Sequence, residues 1–282
     1  MSEPSPSTPS QGLVAKIARG WRIRCRFLKF KLAWRRQLRQ RSKAEPAPNI
    51  ECPVCRGTDC RKTGFDRPEG RIDKYLCPRC EHLFSDFLQT DPQVGQEMFH
   101  FDTENAGKET QVQLLEELAR RCGIDRGTFL DFGVGGNLAA FQEAQLRHPQ
   151  HRFMACDTFP SPVAGYFQTY AANSPLACFD GISSYAVVEH LTETVAAWSY
   201  LNRLLKPLSD GGGLMVHAFP SQLHHDFDHW AIQIGSHVCL FSPKSLKRVC
   251  GQTGFKMEAG VFHRPIGQHD HGIVVFRKVR DL

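Results

Sequence analysis

From residue 110 onward, apolar residues follow two patterns: short runs broken by glycine or an acid, and longer stretches that repeat at helical spacing. The run Thr128-Phe-Leu130 leads into Asp131-Phe-Gly133-Val-Gly135-Gly136-Asn137, and a helical stretch from Leu138 to Arg147 follows. This order predicts a buried strand, a tight turn and a helix, because glycine lets backbone bend sharply and come close to a ligand. Arg152-Phe-Met-Ala-Cys156-Asp157 predicts a second short strand closed by an acid. Upstream, Thr110 to Cys122 places Val112, Leu115, Leu118 and Ala119 on one side of an amphipathic helix. Downstream, Ser242-Pro-Lys-Ser-Leu246 starts a helix running towards Thr253-Gly254, with proline in its first turn. Phe255-Lys-Met-Glu258 and Gly272-Ile-Val-Val-Phe276 then finish the chain as strands. Strands alternating with helices define an α/β fold.

The first fifty residues are different. They carry 12 Lys or Arg against only Glu3 and Glu45, while the rest of the chain is slightly acidic, although the whole is +6. Val14, Ala18, Trp21, Cys25, Leu28 and Leu32 recur at helical spacing, with Phe27, Phe30 and Trp34 widening the apolar side. A basic amphipathic helix of this kind suits a membrane surface or a partner, and its mixed basic and aromatic residues also suit RNA. The bland reading is a helix packed on its own protein. Pro46 and Pro48 close the segment as a linker, so residues 1–48 are expected to form a tail. No apolar stretch approaches the ~20 residues needed to span a bilayer, and no secretory signal is evident, so the expected location is cytoplasmic, at most peripheral to a membrane through residues 11–43.

Eleven cysteines, an odd number, fit thiols and metal ligands better than disulfides. Cys52-Pro-Val-Cys55 and Cys77-Pro-Arg-Cys80 are two Cys-x-x-Cys knuckles that can offer four thiolates to a structural zinc ion. Between them, Arg61 to Phe65 and Ile72 to Leu76 read as two strands around Asp66-Arg-Pro-Glu-Gly70. The expectation is a zinc ribbon over residues 49–90, with its metal needed for folding because so small a unit has little core. Cys60 and His82 lie nearby and are not assigned as ligands.

The glycine turn fails the dinucleotide fingerprint, since Leu138 stands where that motif packs its last glycine. Together with later landmarks it resembles the class I methyltransferases that use S-adenosylmethionine. Those landmarks are Asp157, the stretch Phe179-Asp-Gly-Ile-Ser-Ser184-Tyr185-Ala-Val-Val-Glu189-His190-Leu191, and Leu204-Leu-Lys-Pro207 followed by Gly211-Gly-Gly-Leu-Met-Val-His217. Asn137 replaces the third glycine of the family's first motif; asparagine tolerates left-handed backbone, so the departure is mild. The resemblance implies a Rossmann-like, seven-stranded methyltransferase sheet over residues 91–282, preceded by the small zinc ribbon. It assigns Asp131, Gly133 and Gly135 to the aminoacyl part and ribose of the cofactor, and Asp157 to the ribose hydroxyls. It puts the backbone near Ser184 and Tyr185 at the methionine amine, and Glu189 and His190 in the pocket lining. The helix over residues 110–122 would lean over the cofactor, with residues 91–107 closing the acceptor site.

The acceptor is less legible. Histidines crowd the region after the fifth strand: His217, His224, His225, His229 and His237, with Asp226 and Asp228 between. Loops at the carboxyl ends of such strands face the ligand crevice, and His229 and His237 are the candidate bases. Some relatives, among them ubiquinone-pathway and small-RNA O-methyltransferases, carry Glu-x-x-Glu-His and a later His that hold a divalent cation. Here the stretch reads Ala186-Val-Val-Glu189-His190, with His237 as the later ligand and the first Glu replaced. The expected activity is methyl transfer to a small-molecule or sugar-containing acceptor, lipid-linked if the tail meets a membrane, at oxygen. The alternatives are an RNA methyltransferase holding nucleic acid with tail and ribbon, and a catalytically silent scaffold.

Overall fold

A computed structural model describes residues 45–47, 49–67, 70–85, 106–171, 174–219, 237–258, 262–266 and 269–282. The basic segment expected over residues 11–43, residues 91–105 of the 91–107 segment expected to close the acceptor site, and His224, His225, Asp228 and His229 lie outside the described residues.

The chain enters through an antiparallel hairpin. Strand β1 (Arg61–Arg67) pairs with β2 (Gly70–Leu76), with Arg61 opposite Leu76, and a two-residue strand β3 (Leu83–Phe84) lies on the other side of β2. Helix α1 (Ala106–Cys122) leads to β4 (Thr128–Phe132), α2 (Ala139–Arg147), β5 (Arg152–Asp157), β6 (Tyr166–Gln168) and β7 (Gly181–Tyr185). Helix α3 (Thr194–Leu204), β8 (Leu214–Phe219), β9 (Cys239–Leu240) and α4 (Pro243–Gln252) follow. The chain then closes with β10 (Phe255–Met257), β11 (Phe262–Ile266) and β12 (His269–Lys278).

The large sheet runs β10-β12-β8-β7-β4-β5-β6, and β11 folds back on β12 as a hairpin. Strands β8, β7, β4, β5 and β6 are parallel, whereas β12 and β10 are antiparallel. Successive crossovers leave β4 in opposite directions, to β5 and β6 on one side and to β7 and β8 on the other. The carboxyl ends of β4 and β7 therefore flank the crevice where doubly wound sheets bind ligands.

Sequence chemistry explains the main elements. In α1, Val112, Leu115 and Leu118 are fully buried, and Leu118 comes so close to β7 that a Cβ on Gly181 would sit 2.7 Å from it. Ser242 caps α4 with a reciprocal capping box to Ser245, and Pro243 occupies the first turn, where its missing N–H is no loss. Trp198 of α3 is buried edge-on against Phe241, Phe255 and Phe276, tying helix, loop and antiparallel strands into one core.

The two sheets share that core. The small sheet has the order β1-β2-β3-β9, and β9 comes from the far side of the boundary expected at residues 90 and 91. One apolar cluster runs from Cys52, Val54 and Phe84 through Val238 and Phe241 to Trp198 and Phe276. No helix among the described residues is long and apolar enough to cross a membrane.

Candidate active site and cysteine cluster

Strand β4 delivers Asp131 to a sharp turn. Gly133 and Gly135 have φ of +73° and +58°, the left-handed region that other residues enter only with strain. The amides of Gly133 and Val134 donate to the Cys156 carbonyl at 2.9 and 3.1 Å, which locks the turn to β5. A Cβ on Gly133 would strike Val187 at 2.5 Å, whereas one on Gly135 would meet nothing within 4 Å among the described residues. Asn137 is not left-handed. It is buried, its amide donates to the Val134 carbonyl at 3.2 Å and its carbonyl accepts from the Ala140 amide at 2.8 Å, so it serves the start of α2.

Asp131 is 1% exposed. The Ser183 hydroxyl donates to its Oδ1 at 3.2 Å, while Oδ2 has no hydrogen-bond partner among the described residues. Burial, despite the Ser183 hydrogen bond and with a smaller push from the Asp157 charge, lifts its pKa from an ordinary 3.8 to about 7. Asn137 Nδ2, Gln111 Oε1 and Ser184 Oγ are likewise buried without a partner. Gln111 reaches the turn from α1, donating through Nε2 to the Val134 carbonyl at 3.4 Å. Buried polar atoms are nearly always paired in native proteins, so the orphans on Asp131, Gln111 and Asn137 around the end of β4 fit a polar ligand that supplies both donors and acceptors. Asp157, at the end of β5, accepts from the Gly135 amide at 2.9 Å through Oδ2 and from Thr158 through Oδ1.

Beyond β7, residues Val188–His190 form a single 3₁₀ turn. Glu189 is 1% exposed; its Oε2 lies 3.6 Å from His217 Nε2, longer than a formed hydrogen bond, and neither of its oxygens has a hydrogen-bond partner among the described residues. The His190 and His237 rings meet edge to face at 4.6 Å. One ligand atom each from Glu189, His190 and His237 falls within 4.8 Å of the others, a set able to hold a cation. Burial alone would raise the Glu189 pKa; the contact and charge of His217, then the fields of His190 and His237, outweigh it and pull the value down to about 2.

Cysteines 52, 55, 77 and 80 converge: all four Sγ atoms lie within 4.8 Å of one another, with Cys52–Cys80 at 3.5 Å and Cys55–Cys77 at 3.4 Å. A zinc ion bonded to four thiolates at ~2.3 Å sets sulfurs roughly 3.8 Å apart, so the donor set fits that ion. Hydrogen bonding from Cys77, together with burial, pushes the Cys52 thiol up to about 12; four thiolates this close repel one another and need a cation among them. Cys60 donates to the Gly57 carbonyl at 3.5 Å and stays outside the four. His82 also stays outside; it is buried between Phe84 and Phe241 with Nε2 3.3 Å from Cys239 Sγ, and burial pulls its pKa down to about 3.

Asp131, Gly133, Gly135, Asp157, Ser184, Tyr185, Glu189, His190 and His237 all stand at or beyond the carboxyl ends of β4, β5 and β7 or beside them. Three features were not foreseen. His217 is not a loop residue but a fully buried member of β8, opposite Ser184, with its ring turned to Glu189. Strand β6 ends at Gln168, which brings Thr169 and Tyr170 to the same edge of the sheet. Lys74, 0% exposed, reaches His237 from the ribbon. Lys74 alternates with Ile72 and Leu76 on the apolar face of β2, but its partner is 163 residues away and nothing local names it.

The sheet order, the glycine turn and the acid closing the second strand define a class I methyltransferase, an enzyme dependent on S-adenosylmethionine. A family model described as a methyltransferase domain matches residues 52–259, and the chain belongs to that family. No curated protein matches the sequence. Among solved structures, a putative methyltransferase from Bacillus halodurans C-125 is 12% identical, with a TM-score of 0.44 over 60% of this chain and 100% of that one. The 1,6-didemethyltoxoflavin-N1-methyltransferase of Burkholderia thailandensis, solved with 1,6-didemethyltoxoflavin and S-adenosylhomocysteine, is 13% identical, with a TM-score of 0.47 over 71% of this chain and 96% of that one.

Proposed function

We propose that this enzyme moves the methyl group of S-adenosylmethionine to a hydroxyl oxygen of a small-molecule or sugar-containing acceptor, with Glu189, His190 and His237 serving that hydroxyl. The observation that carries the proposal is the meeting of these three side chains at the crevice beside the glycine turn. The sulfonium donor is already activated, so the chain's tasks are to align acceptor and methyl and to accept one proton. His237 is the base in this reading, because it stands beside His190; His229 lies outside the described residues. Asp131, Gly133 and Gly135 would cradle the aminoacyl part and ribose, Asp157 the ribose hydroxyls, and Ser184 and Tyr185 the methionine amine. The orphaned polar atoms around Asp131 support this assignment.

A second reading rests on the same cluster. Two imidazoles beside a carboxylate whose oxygens have no hydrogen-bond partner among the described residues are a fitting donor set for a divalent cation, which would lower the acceptor hydroxyl's pKa. Ala186 stands where related metal-dependent enzymes carry a further Glu, so solvent or acceptor would have to complete the shell. The Cys52, Cys55, Cys77 and Cys80 cluster would hold zinc in a closed, structural site. The tail over residues 11–43 would bring the enzyme to an anionic membrane at the cytoplasmic face, where each cation is worth ~1 kcal/mol.

The test is transfer of radiolabelled methyl from S-adenosylmethionine to separated pools of hydroxylated metabolites, lipid-linked saccharides and RNA, with and without EDTA followed by Mg²⁺ or Zn²⁺. Label in an alkali-stable ether of a small or lipid-linked acceptor supports the proposal, and loss with EDTA selects the metal reading. Label in RNA alone selects a nucleic-acid substrate, and S-adenosylhomocysteine binding with no label in any pool points to a silent scaffold. Unchanged liposome binding after deletion of residues 1–44 would remove the membrane clause.

A further inference from the structure

The segment that brings His237 to the crevice is tied to the cysteine ribbon. Its first described residue, His237, accepts a hydrogen bond at its carbonyl from Lys74 Nζ at 2.6 Å. The next carbonyl, Val238, accepts from the Ser85 amide at 3.0 Å. Cys239 and Leu240 then pair antiparallel with Phe84 and Leu83 as β9. Two residues further on, the Ser242 hydroxyl donates to the carbonyl of Cys80, itself a member of the four-sulfur cluster. Backbone that carries a candidate base is thus stitched at every step to the ribbon, and its end is tied to the cysteine site.

Lys74 is the most telling of these contacts. Its side chain is 0% exposed, on the face of β2 that also carries the buried Leu76. A buried ammonium is costly unless it is used, and burial lowers its pKa to about 8. The amine makes its 2.6 Å bond to the His237 carbonyl and lies 3.5 Å from Ser85 Oγ.

We propose that the cysteine ribbon is a positioning element of the methyl-transfer site, and that Lys74 is the positioning residue that holds His237 against His190. The inference rests on the reading that the Glu189–His190–His237 cluster serves methyl transfer. Binding of metal at the four cysteines would then set the geometry of a histidine on the other side of the shared core. An appended ribbon that only added stability would have no reason to bury a lysine against the backbone of that one residue.

The test uses the full-length, zinc-loaded protein and reads the histidine ring protons by NMR, with His190→Asn and His237→Asn to assign the signals. In the native protein a nuclear Overhauser contact between the two rings is expected, and S-adenosylhomocysteine should shift both signals. Lys74→Met should abolish the contact and move the His237 titration, while zinc content stays the same and affinity for S-adenosylhomocysteine stays within about twofold. Lys74→Arg, which keeps a cationic donor, should restore part of the contact. If Lys74→Met fails to fold, Ser85→Ala, which removes the hydroxyl beside the amine, should weaken the contact in a folded protein. A folded Lys74→Met with an unchanged ring contact and titration would overturn the proposal. Absence of any shift on adding S-adenosylhomocysteine to native protein that keeps the ring contact would instead overturn the reading beneath it.

Discussion

The Gly135 amide donates to the Asp157 carboxylate at 2.9 Å, so the acid closing β5 is tied across the crevice to the glycine turn that ends β4. The other oxygen of Asp157 accepts from the Thr158 amide at 2.6 Å and from the Thr158 hydroxyl at 3.1 Å. The carboxylate is therefore already oriented, and a ribose diol would add donors to an acceptor fixed in place. Such preorganisation lowers the ordering cost of binding.

Asp157→Ala should weaken S-adenosylhomocysteine binding by at least tenfold, about 1.4 kcal/mol, measured by calorimetry on zinc-loaded protein. Asp157→Asn keeps one carbonyl oxygen for Gly135 and should lose less stability than the alanine variant while still losing affinity. Equal, native-like affinity in both variants would remove Asp157 from the cofactor site.

The two left-handed glycines should separate folding from binding. Gly133→Ala puts a methyl 2.5 Å from Val187 as well as straining a φ of +73°, so stability should fall by about 2 kcal/mol or more. At Gly135 only the backbone strain of about 1–2 kcal/mol applies, because a methyl there meets no atom of the described residues within 4 Å. Its open side is the side a ligand would occupy, so Gly135→Ala should cost more in S-adenosylhomocysteine affinity than in thermal stability. Denaturant titration beside calorimetry distinguishes the two, and a Gly135→Ala protein that binds normally would place the ligand elsewhere.

Asp131 gives the site a pH dependence with a defined sign. Its folded pKa is raised from 3.8 to about 7 by burial, so the folded protein keeps this proton to higher pH than the unfolded chain does. Without ligand, stability should fall as pH rises from about 3.8 towards 7. A ligand whose hydroxyl or ammonium donates to the free Oδ2 favours the carboxylate, so binding should release a proton. Affinity for S-adenosylhomocysteine should rise about tenfold between roughly pH 6 and pH 8 and then level off. Calorimetry in buffers of different ionisation enthalpy counts that proton, and a flat profile would show that the ligand does not meet Asp131.

Much of this arrangement was legible in the sequence because local chemistry dictates it. The glycine turn, the acid at the end of β5, the capped helix after Ser242 and the paired cysteines each follow from residues close together in the chain. Strand β6 escaped because it is three residues long, and because Thr158–Gly165, with its two prolines, joins two parallel strands without a helix. Parallel crossovers ordinarily take a dozen or more residues, and here the Gly165 carbonyl, accepting from Ala155 at 2.9 Å, holds the short one. Strands β3 and β9 have two residues each, and the partners are far apart in sequence, so no periodicity could announce them. His217 was misplaced for a similar reason. Nothing local says that a histidine will point into the core, because its partner, Glu189, arrives from another strand end.

That pair supplies the remaining prediction. Glu189 is buried and its folded pKa is pulled from 4.5 down to about 2 by His217, His190 and His237, which outweigh burial. An acid with a depressed folded pKa contributes stability that is fully present above about pH 4.5 and is lost as pH falls through 4.5 towards 2. Glu189→Gln has no such proton to take up, so its stability should fall less steeply than the native protein's across that window, although it starts lower at neutral pH. Chemical denaturation from pH 7 to pH 3 reads the difference. Parallel stability curves for native protein and Glu189→Gln would mean that the Glu189 pKa is the same folded and unfolded, and the buried carboxylate at the crevice would have to be abandoned.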